Sequence, residues 1–333
     1  MFKKLILLGV LILFSITMTQ VVAQNDNKLE LSIQGTWNFK MDPQDLGVKE
    51  SWFNQSFSDK ITLPASMTEK GLGDPVTLQT NWTASLYDSS WYFNPRMEKY
   101  RQPGNLKFPF FLTPVKYYVG AAWYQKEIKI PSEWTGKRVL LSLERVHWES
   151  TVWVDGKSIG MQNSLSTPHQ YSLAEGLTPG KHIITIRVDN RIKEINPGRD
   201  SHSLTDQTQG NWNGIVGKMN LTATTPTYFE DVRLFPSLAT KSVYAIIHLK
   251  STTGKIGRGT MNFRVRAINS ENSQFISPLS IVYSFKNADT VFTVAFPMGA
   301  QFEKWDEFNP ICYQMNLSLK CPYSAGFCSP TGA

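Results

Sequence analysis

Residues 137–160, KRVLLSLERVHWESTVWVDGKSIG, restrict what this chain can fold into more than any other stretch. Val139, Leu141 and Leu143 alternate with Leu140, Ser142 and Glu144, the period of a strand that turns one face to a core. A second β-rich run, residues 150–154 (STVWV), stops at Asp155-Gly156. A type I′ turn needs positive φ at both central residues, and Asp-Gly tolerates that, so the spacing predicts a hairpin returning through residues 157–161. No helical period runs through this stretch, which therefore reads as the middle of an antiparallel β domain.

The flanking sequence keeps to the same pattern. Residues 29–39 (LELSIQGTWNF), 61–64 (ITLP) and 122–130 (AWYQKEIKI) read as strands, and residues 182–188 (HIITIRV) carry the β-branched density of a central one. Residues 71–114 are irregular and dense in Gly, Pro, Asn and aromatic side chains. A loop of that length inside a domain is more often functional than idle. Residues 228–236 read as a linking strand. Runs at 242–249, 259–267, 279–285, 290–296 and 313–319 then recur with turn signals between them, predicting a second sandwich of immunoglobulin type. The 333 residues allow two domains. Ten tryptophans can serve as sandwich core or as platforms for sugar rings, and burial is the commoner use.

Lys3-Lys4, the apolar run 5–14 and the small residues Val21 and Ala23 before Gln24 form the pattern of a secretory signal, removed after residue 23. The expected location is therefore periplasmic or extracellular, and no later run is long and apolar enough to span a bilayer. The formal charge of +7 is scattered, with no basic stripe of the kind that binds nucleic acid. Cys312, Cys321 and Cys328 make an odd count near the C-terminus, which does not describe a disulfide framework, and no His/Cys spacing suggests a metal site.

Several marks in order along the chain resemble the front half of glycoside hydrolase family 2, the β-galactosidase/β-glucuronidase family. They are residues 35–39 (GTWNF), 122–128 (AWYQKEI), 138–156 with VHW at 146–148 and VWVDG at 152–156, 167–171 (TPHQY), 182–190 (HIITIRVDN) and 206–217 (DQTQGNWNGIVG). The resemblance covers about residues 29–320. It implies an all-β chain: a jelly-roll sugar-binding sandwich over 24–236 behind the signal at 1–23, an immunoglobulin-like sandwich over 237–320, and an irregular tail at 321–333. The family's chemistry belongs to a following (β/α)₈ barrel, which needs about 250 residues and has no room here. Its two glutamates, acid/base and nucleophile, accordingly have no counterpart. Glu127, Glu144 and Glu149 fall on expected sandwich strands and read as surface charge or ion-paired groups. The ending reads as a truncated or frame-disturbed product.

The resemblance implies a carbohydrate partner, no catalytic residues, no cofactor and no metal. The expected function is the sugar-binding front portion of an exported β-galactosidase-like hydrolase, inactive alone, with a separately encoded barrel portion as a conceivable partner. The alternatives are a stand-alone secreted carbohydrate-binding module and a non-functional gene fragment. Asp206 matches the loop carboxylate that accepts hydrogen bonds from sugar hydroxyls, and Gln207, Gln209, Asn211 and Asn213 would add amide donors and acceptors. Trp212 could stack on a sugar face or pack beneath the loop. The same Asp and Asn residues could instead bond their own backbone in a turn. Gly210, Gly214 and Gly217 read as backbone-geometry residues, and His147 as a hydrogen-bonded structural residue; His169 and His202 are expected on loops. The loop favours a galactoside among the family's sugars.

Overall fold

The computed structural model describes residues 29–83, 89–173, 177–193, 198, 201, 204–206, 210–252, 257–269, 276–285 and 287–320. The expected signal segment, the tail with Cys321 and Cys328, and Gln207, Gln209 and His202 lie outside these residues. The chain is all-β: two sandwiches in succession, with short 3₁₀ turns between strands.

In the first sandwich a four-stranded sheet runs Leu29–Ser32, Met219–Thr224, Arg138–Leu143, His169–Ser172. It faces a six-stranded sheet ordered Lys157–Asn163, Glu149–Val154, Gly180–Asp189, Ala121–Ile130, Gly35–Asp42, Asp59–Leu63. The alternation at 138–143 does what its period requires, burying Val139, Leu141 and Leu143 in the shared core. Leu141 sits in register between Tyr171 and Leu221. The Asp155-Gly156 turn takes φ of 50° and 76°, both positive as expected, and closes the hairpin between Glu149–Val154 and Lys157–Asn163. Between residues 143 and 149 the chain crosses from one sheet to the other. On the way Val146–His147 pairs with Gly214–Ile215, which pairs in turn with Ala65–Ser66. Gly214 has φ of 150°, and a Cβ there would lie 2.4 Å from the Ala65 carbonyl oxygen, so the close approach of these backbones requires glycine.

The six-stranded sheet is covered on its inner face by the four-stranded sheet and, around Trp123, on its outer face as well. Tyr124 points inward to the core, while its neighbour Trp123 points outward into a second cluster with Trp52, Phe57 and Trp153. Residues 43–58 roof this cluster. Asp42 anchors the roof: its buried carboxylate accepts from the backbone N–H of Leu46 at 2.8 Å and of Gly47 at 2.9 Å, and from Trp123 Nε1 at 2.9 Å. A Cβ on Gly47 would fall 2.5 Å from the Trp123 ring, and Lys40 Nζ lies 3.4 Å from the centre of the Trp52 ring.

The second sandwich pairs a Thr227–Ser237, Ser242–Ser251, Asp289–Pro297 sheet with a Leu279–Phe285, Gly257–Ala267, Tyr313–Lys320 sheet around Ile247, Met261, Phe263 and Phe296. The strand expected only as a link, at 228–236, pairs along its length with Ser242–Ser251 and so forms part of this second sheet. The Arg138 guanidinium lies 3.8 Å from the centre of the Tyr228 ring, joining the two sandwiches. His169, expected on a loop, opens the His169–Ser172 strand and is fully buried; its pairing with Leu143 overrides the turn signal of Pro168.

Replacing Asp42 by alanine leaves two backbone N–H groups and an indole N–H without their buried acceptor, each costing about 1–3 kcal/mol. The expected loss is about 3 kcal/mol or more in urea unfolding, whereas Lys129→Ala on the exposed edge of its strand should change stability by less than about 0.5 kcal/mol. Equal midpoints for the two variants would remove Asp42 as the anchor.

Candidate functional site

The register of the six-stranded sheet brings four strand ends to one place, since Asp189 lies opposite both Glu149 and Ala121, and Ala121 opposite Asp42. Charged side chains gather there because the chain must leave the sheet and the last strand positions no longer face core. Arg187 bonds Asp189 at 2.8 Å and Asp45 at 2.6 Å, Arg191 bonds the same two carboxylates at 2.6 Å each, and Lys193 reaches Glu149 at 2.7 Å and Asp189 at 3.0 Å. Burial alone would raise the Asp189 carboxyl. The hydrogen bonds from Arg191, the charge of Arg187 and the hydrogen bond from Lys193 outweigh it and hold that carboxyl well below the usual carboxylate range. Glu149 and Glu127, the latter bonded to Lys181 at 2.8 Å, are thus ion-paired, and Glu144 accepts from the Lys218 N–H.

Beside this cluster three asparagines bond the departing backbone. Asn190 Oδ1 accepts from the Gly120 N–H at 2.8 Å, and its Nδ2 donates to the Tyr118 carbonyl and to Asn211 Oδ1. Asn211 Nδ2 donates to the Asn190 carbonyl at 2.9 Å and to Thr83 Oγ1 at 3.3 Å. Asn213 Oδ1 accepts from the Tyr124 hydroxyl at 2.9 Å, and its Nδ2 donates to the carbonyls of Gly120 and Val188. An amide has two N–H donors, and all three residues use both inside the fold. Asn211 and Asn213 are therefore struts of the loop, buried at 2% and 0% exposure.

Asp206 is also buried, at 1% exposure, behind Tyr117. The Tyr117 hydroxyl donates to Asp206 Oδ2 at 3.3 Å and accepts from the Thr83 N–H at 2.9 Å. Burial and the Asp206 charge push the Tyr117 phenol well above its ordinary value, so it remains a donor at neutral pH. Trp212 is half-buried: its ring lies against His147 with centroids 4.5 Å apart, and its carbonyl accepts from His147 Nδ1 at 2.6 Å. Gln209 lies outside the described residues. The structure thus brings Asp206, Asn211, Trp212 and Asn213 to one end of the sandwich, with their polar atoms directed largely into the protein.

Open space lies in front of them. A cleft of about 620 Å³ is bordered by Asp74, Gln79, Asn81, Trp82, Tyr117 and Arg191, and one of about 380 Å³ by Thr68, Leu112, Pro114, Arg145, Asn211 and Trp212. Half of these residues come from the irregular stretch 71–114, flagged by its length alone. Asn190, Tyr117 and Thr83 were not singled out as site residues; Asn190 closes the strand motif at 182–190, the one local signal it carried. A Ser150–His169 pair at 2.6 Å has the atoms of a nucleophile and base, but both residues are fully buried and Ser150 also bonds Tyr171. Burial holds the His169 imidazole below its ordinary pKa, so the pair is a neutral core network.

Residues 81–226 match the family model described as glycosyl hydrolases family 2, sugar binding domain. Among curated proteins, a β-glucuronidase of Paenibacillus borealis is 21% identical over 170 residues, 50% of this chain and 22% of that protein. A β-galactosidase of Pseudoalteromonas haloplanktis is 24% identical over 230 residues, 68% of this chain and 20% of that protein. The matches thus span about a fifth of the length of these relatives. Among solved structures, a β-glucuronidase of Bacteroides uniformis superposes with a TM-score of 0.62 at 14% identity, covering 92% of this chain and 32% of the other. A Ruminococcus gnavus β-glucuronidase gives 0.55 at 15% identity, covering 93% and 44%. These structural likenesses show the fold.

Asp189 ties three cations together from a fully buried position, so Asp189→Asn should destabilise the protein by about 3–5 kcal/mol, the usual cost of breaking a buried ionic group from one side. Its folded pKa lies below the unfolded value near 3.8, so its contribution is complete above that pH and is lost as pH falls through the folded pKa. Urea midpoints at pH 7, 5 and 3 should show wild type approaching the variant only at the lowest pH; a constant gap would contradict the assignment.

Proposed function

Because residues 81–226 match the sugar-binding domain of glycosyl hydrolases family 2, we propose that the chain binds and orients the carbohydrate of an exported β-glycosidase. One observation carries this reading: residues matched by the family model, together with a few that precede them, line the clefts at the loop end of the first sandwich, where hydroxyl, amide and aromatic groups converge. Gln79, Asn81 and the threonines of the larger cleft suit sugar hydroxyls, and Trp82 and Trp212 offer ring edges or faces to sugar carbons. Asp206 acts through Tyr117, holding the phenol at the cleft wall.

The acid and nucleophile of hydrolysis are proposed to come from residues other than the described sandwiches. A retaining glycosidase needs two carboxyl groups about 5–5.5 Å apart with open access to the glycosidic bond. The carboxylates that cluster here, Asp45, Glu149 and Asp189, are bonded to Arg187, Arg191 and Lys193. Export is inferred from the basic and apolar leader pattern at the N-terminus.

Because the struts are saturated and few polar groups face outward, a single sugar should bind the isolated chain weakly, with a dissociation constant near or above about 1 mM. Titration with methyl β-galactoside and methyl β-glucuronide, followed by NMR of the indole N–H groups, should perturb Trp82 or Trp212 and leave Trp305 of the second sandwich unmoved. Perturbation confined to Trp305, or none at tens of millimolar sugar, would overturn the reading. A micromolar constant would instead favour a free-standing binding module.

A further inference from the structure

Residues 76–83 and 89–115, between the Asp74–Pro75 and Lys116–Tyr117 strands, form an arm with its own ring core. Trp82 packs against Phe108, Phe110 and Tyr117 with centroids 4.7–4.9 Å apart, and Trp91 stacks on Phe108 at 4.5 Å. This core holds other apolar side chains outward: Phe93, Phe111, Leu112 and Val115 are 71%, 86%, 61% and 87% exposed. A third cleft, of about 250 Å³, opens on the arm between Trp91, Met97, Tyr100, Lys107 and Phe108. The three clefts therefore share one segment; the first and third are also walled by its stacked rings, and the second meets it at Leu112 and Pro114. The Trp82 indole N–H, at the wall of the largest, is buried and has no hydrogen-bond partner among the described residues.

The charge of these clefts has one dominant sign. Residues 89–117 hold five basic side chains and one acidic one. Each cleft has a cation in its wall: Arg191 in the first, Arg145 in the second, Lys107 in the third. Asp74 is the one carboxylate lining any of them, among the described residues. Arg191 is already bonded to Asp45 and Asp189. Arg145 and Lys107 are exposed and have no carboxylate partner among the described residues; Lys107 lies 5.7 Å from the centre of the Tyr100 ring. Lys107 beside the half-buried Tyr100 ring, and Arg145 lining the same cleft as the half-buried Trp212, both without a carboxylate partner among the described residues, suit a ligand with several sugar rings and several negative charges.

We propose that the arm binds an extended anionic glycan, whose carboxylate or sulfate groups pair with Arg145 and Lys107 while its rings pack along the exposed aromatic and apolar side chains. The proposal rests on the carbohydrate-binding reading above and adds to it the length and charge of the substrate.

The test is calorimetry of the full chain at low salt with three hexasaccharides: oligogalacturonate, bearing carboxylates; chondroitin sulfate, bearing both groups; and neutral cellohexaose. At least one anionic hexamer should bind about tenfold more tightly than the neutral one and weaken as salt shortens the Debye length. A preference shared by both identifies carboxylate as sufficient, and one confined to chondroitin sulfate identifies sulfate. Arg145→Gln and Lys107→Gln should each weaken anionic binding about three- to fivefold, the scale of an exposed ion pair, with neutral binding and the circular dichroism spectrum unchanged. Lys129→Gln on the opposite part of the sandwich should change neither. Equal affinity for neutral and anionic hexamers overturns this inference and leaves the sugar-binding reading standing; no binding by any hexamer removes both. Equally tight binding of a glutamate hexapeptide, or insensitivity to both cleft substitutions, would reduce the effect to bulk charge and also overturn it.

Discussion

Where a chain leaves a sheet beneath other residues, its N–H and C=O groups lose their ladder partners and have no water to replace them. At the end of the six-stranded sheet, Asn190, Asn211 and Asn213 fill this gap. Each side chain presents one acceptor and two donors in a plane, which matches a peptide group's own needs. They join residues 118–120, 188–190 and 211–213 into one unit, and the cleft walls at Tyr117, Thr83 and Trp212 are attached to it. Leaving any one buried amide site unmatched costs about 1–3 kcal/mol, so the loops are held by the same interactions that stabilise the fold.

The adjoining ionic cluster works under a different balance. Removing Asp189, Arg187 and Glu149 from water is costly, and mutual attraction offsets that cost only because three cations meet three carboxylates at close range. Its geometry also ties the roof over the outer aromatic cluster to the strand ends, since Asp45 belongs to the first and Asp189 to the second. The arginines suit this because a planar guanidinium can bond two carboxylates at once.

Much of the fold was legible in local pattern. Alternation at 138–143 and the Asp-Gly turn each have a single physical reading, and both appear in the structure. Other features depend on contacts distant in sequence. Thr227–Ser237 looks like any linking strand until its pairing with Ser242–Ser251 is seen, and His169 follows a proline that ordinarily marks a loop. The site was legible as a neighbourhood more than as a set of contacts. The Asp206 loop could be located from its Asp, Asn and Gly content, but those residue types accept sugar hydroxyls and backbone groups equally well. Only burial separates the two uses, and it assigns Asn211 and Asn213 to the backbone. Tyr117 was invisible for a related reason: a tyrosine between an irregular stretch and a strand carries no periodic signal, and its role depends on Thr83 and Asp206, 34 and 89 residues away.

The roof over Trp123 gives the first sandwich a polarity that its two sheets alone would lack. An uncovered six-stranded sheet would offer a broad flat face on which another molecule could settle in many orientations. With residues 43–58 fastened across it by Asp42, the part of that face around Trp123 is closed. Beside the closed part lies the rim where strands become loops, a narrow and directional surface. A long, thin ligand can lie along such a rim in few ways, so discrimination here can come from the limited number of approaches the molecule permits as much as from the strength of any contact.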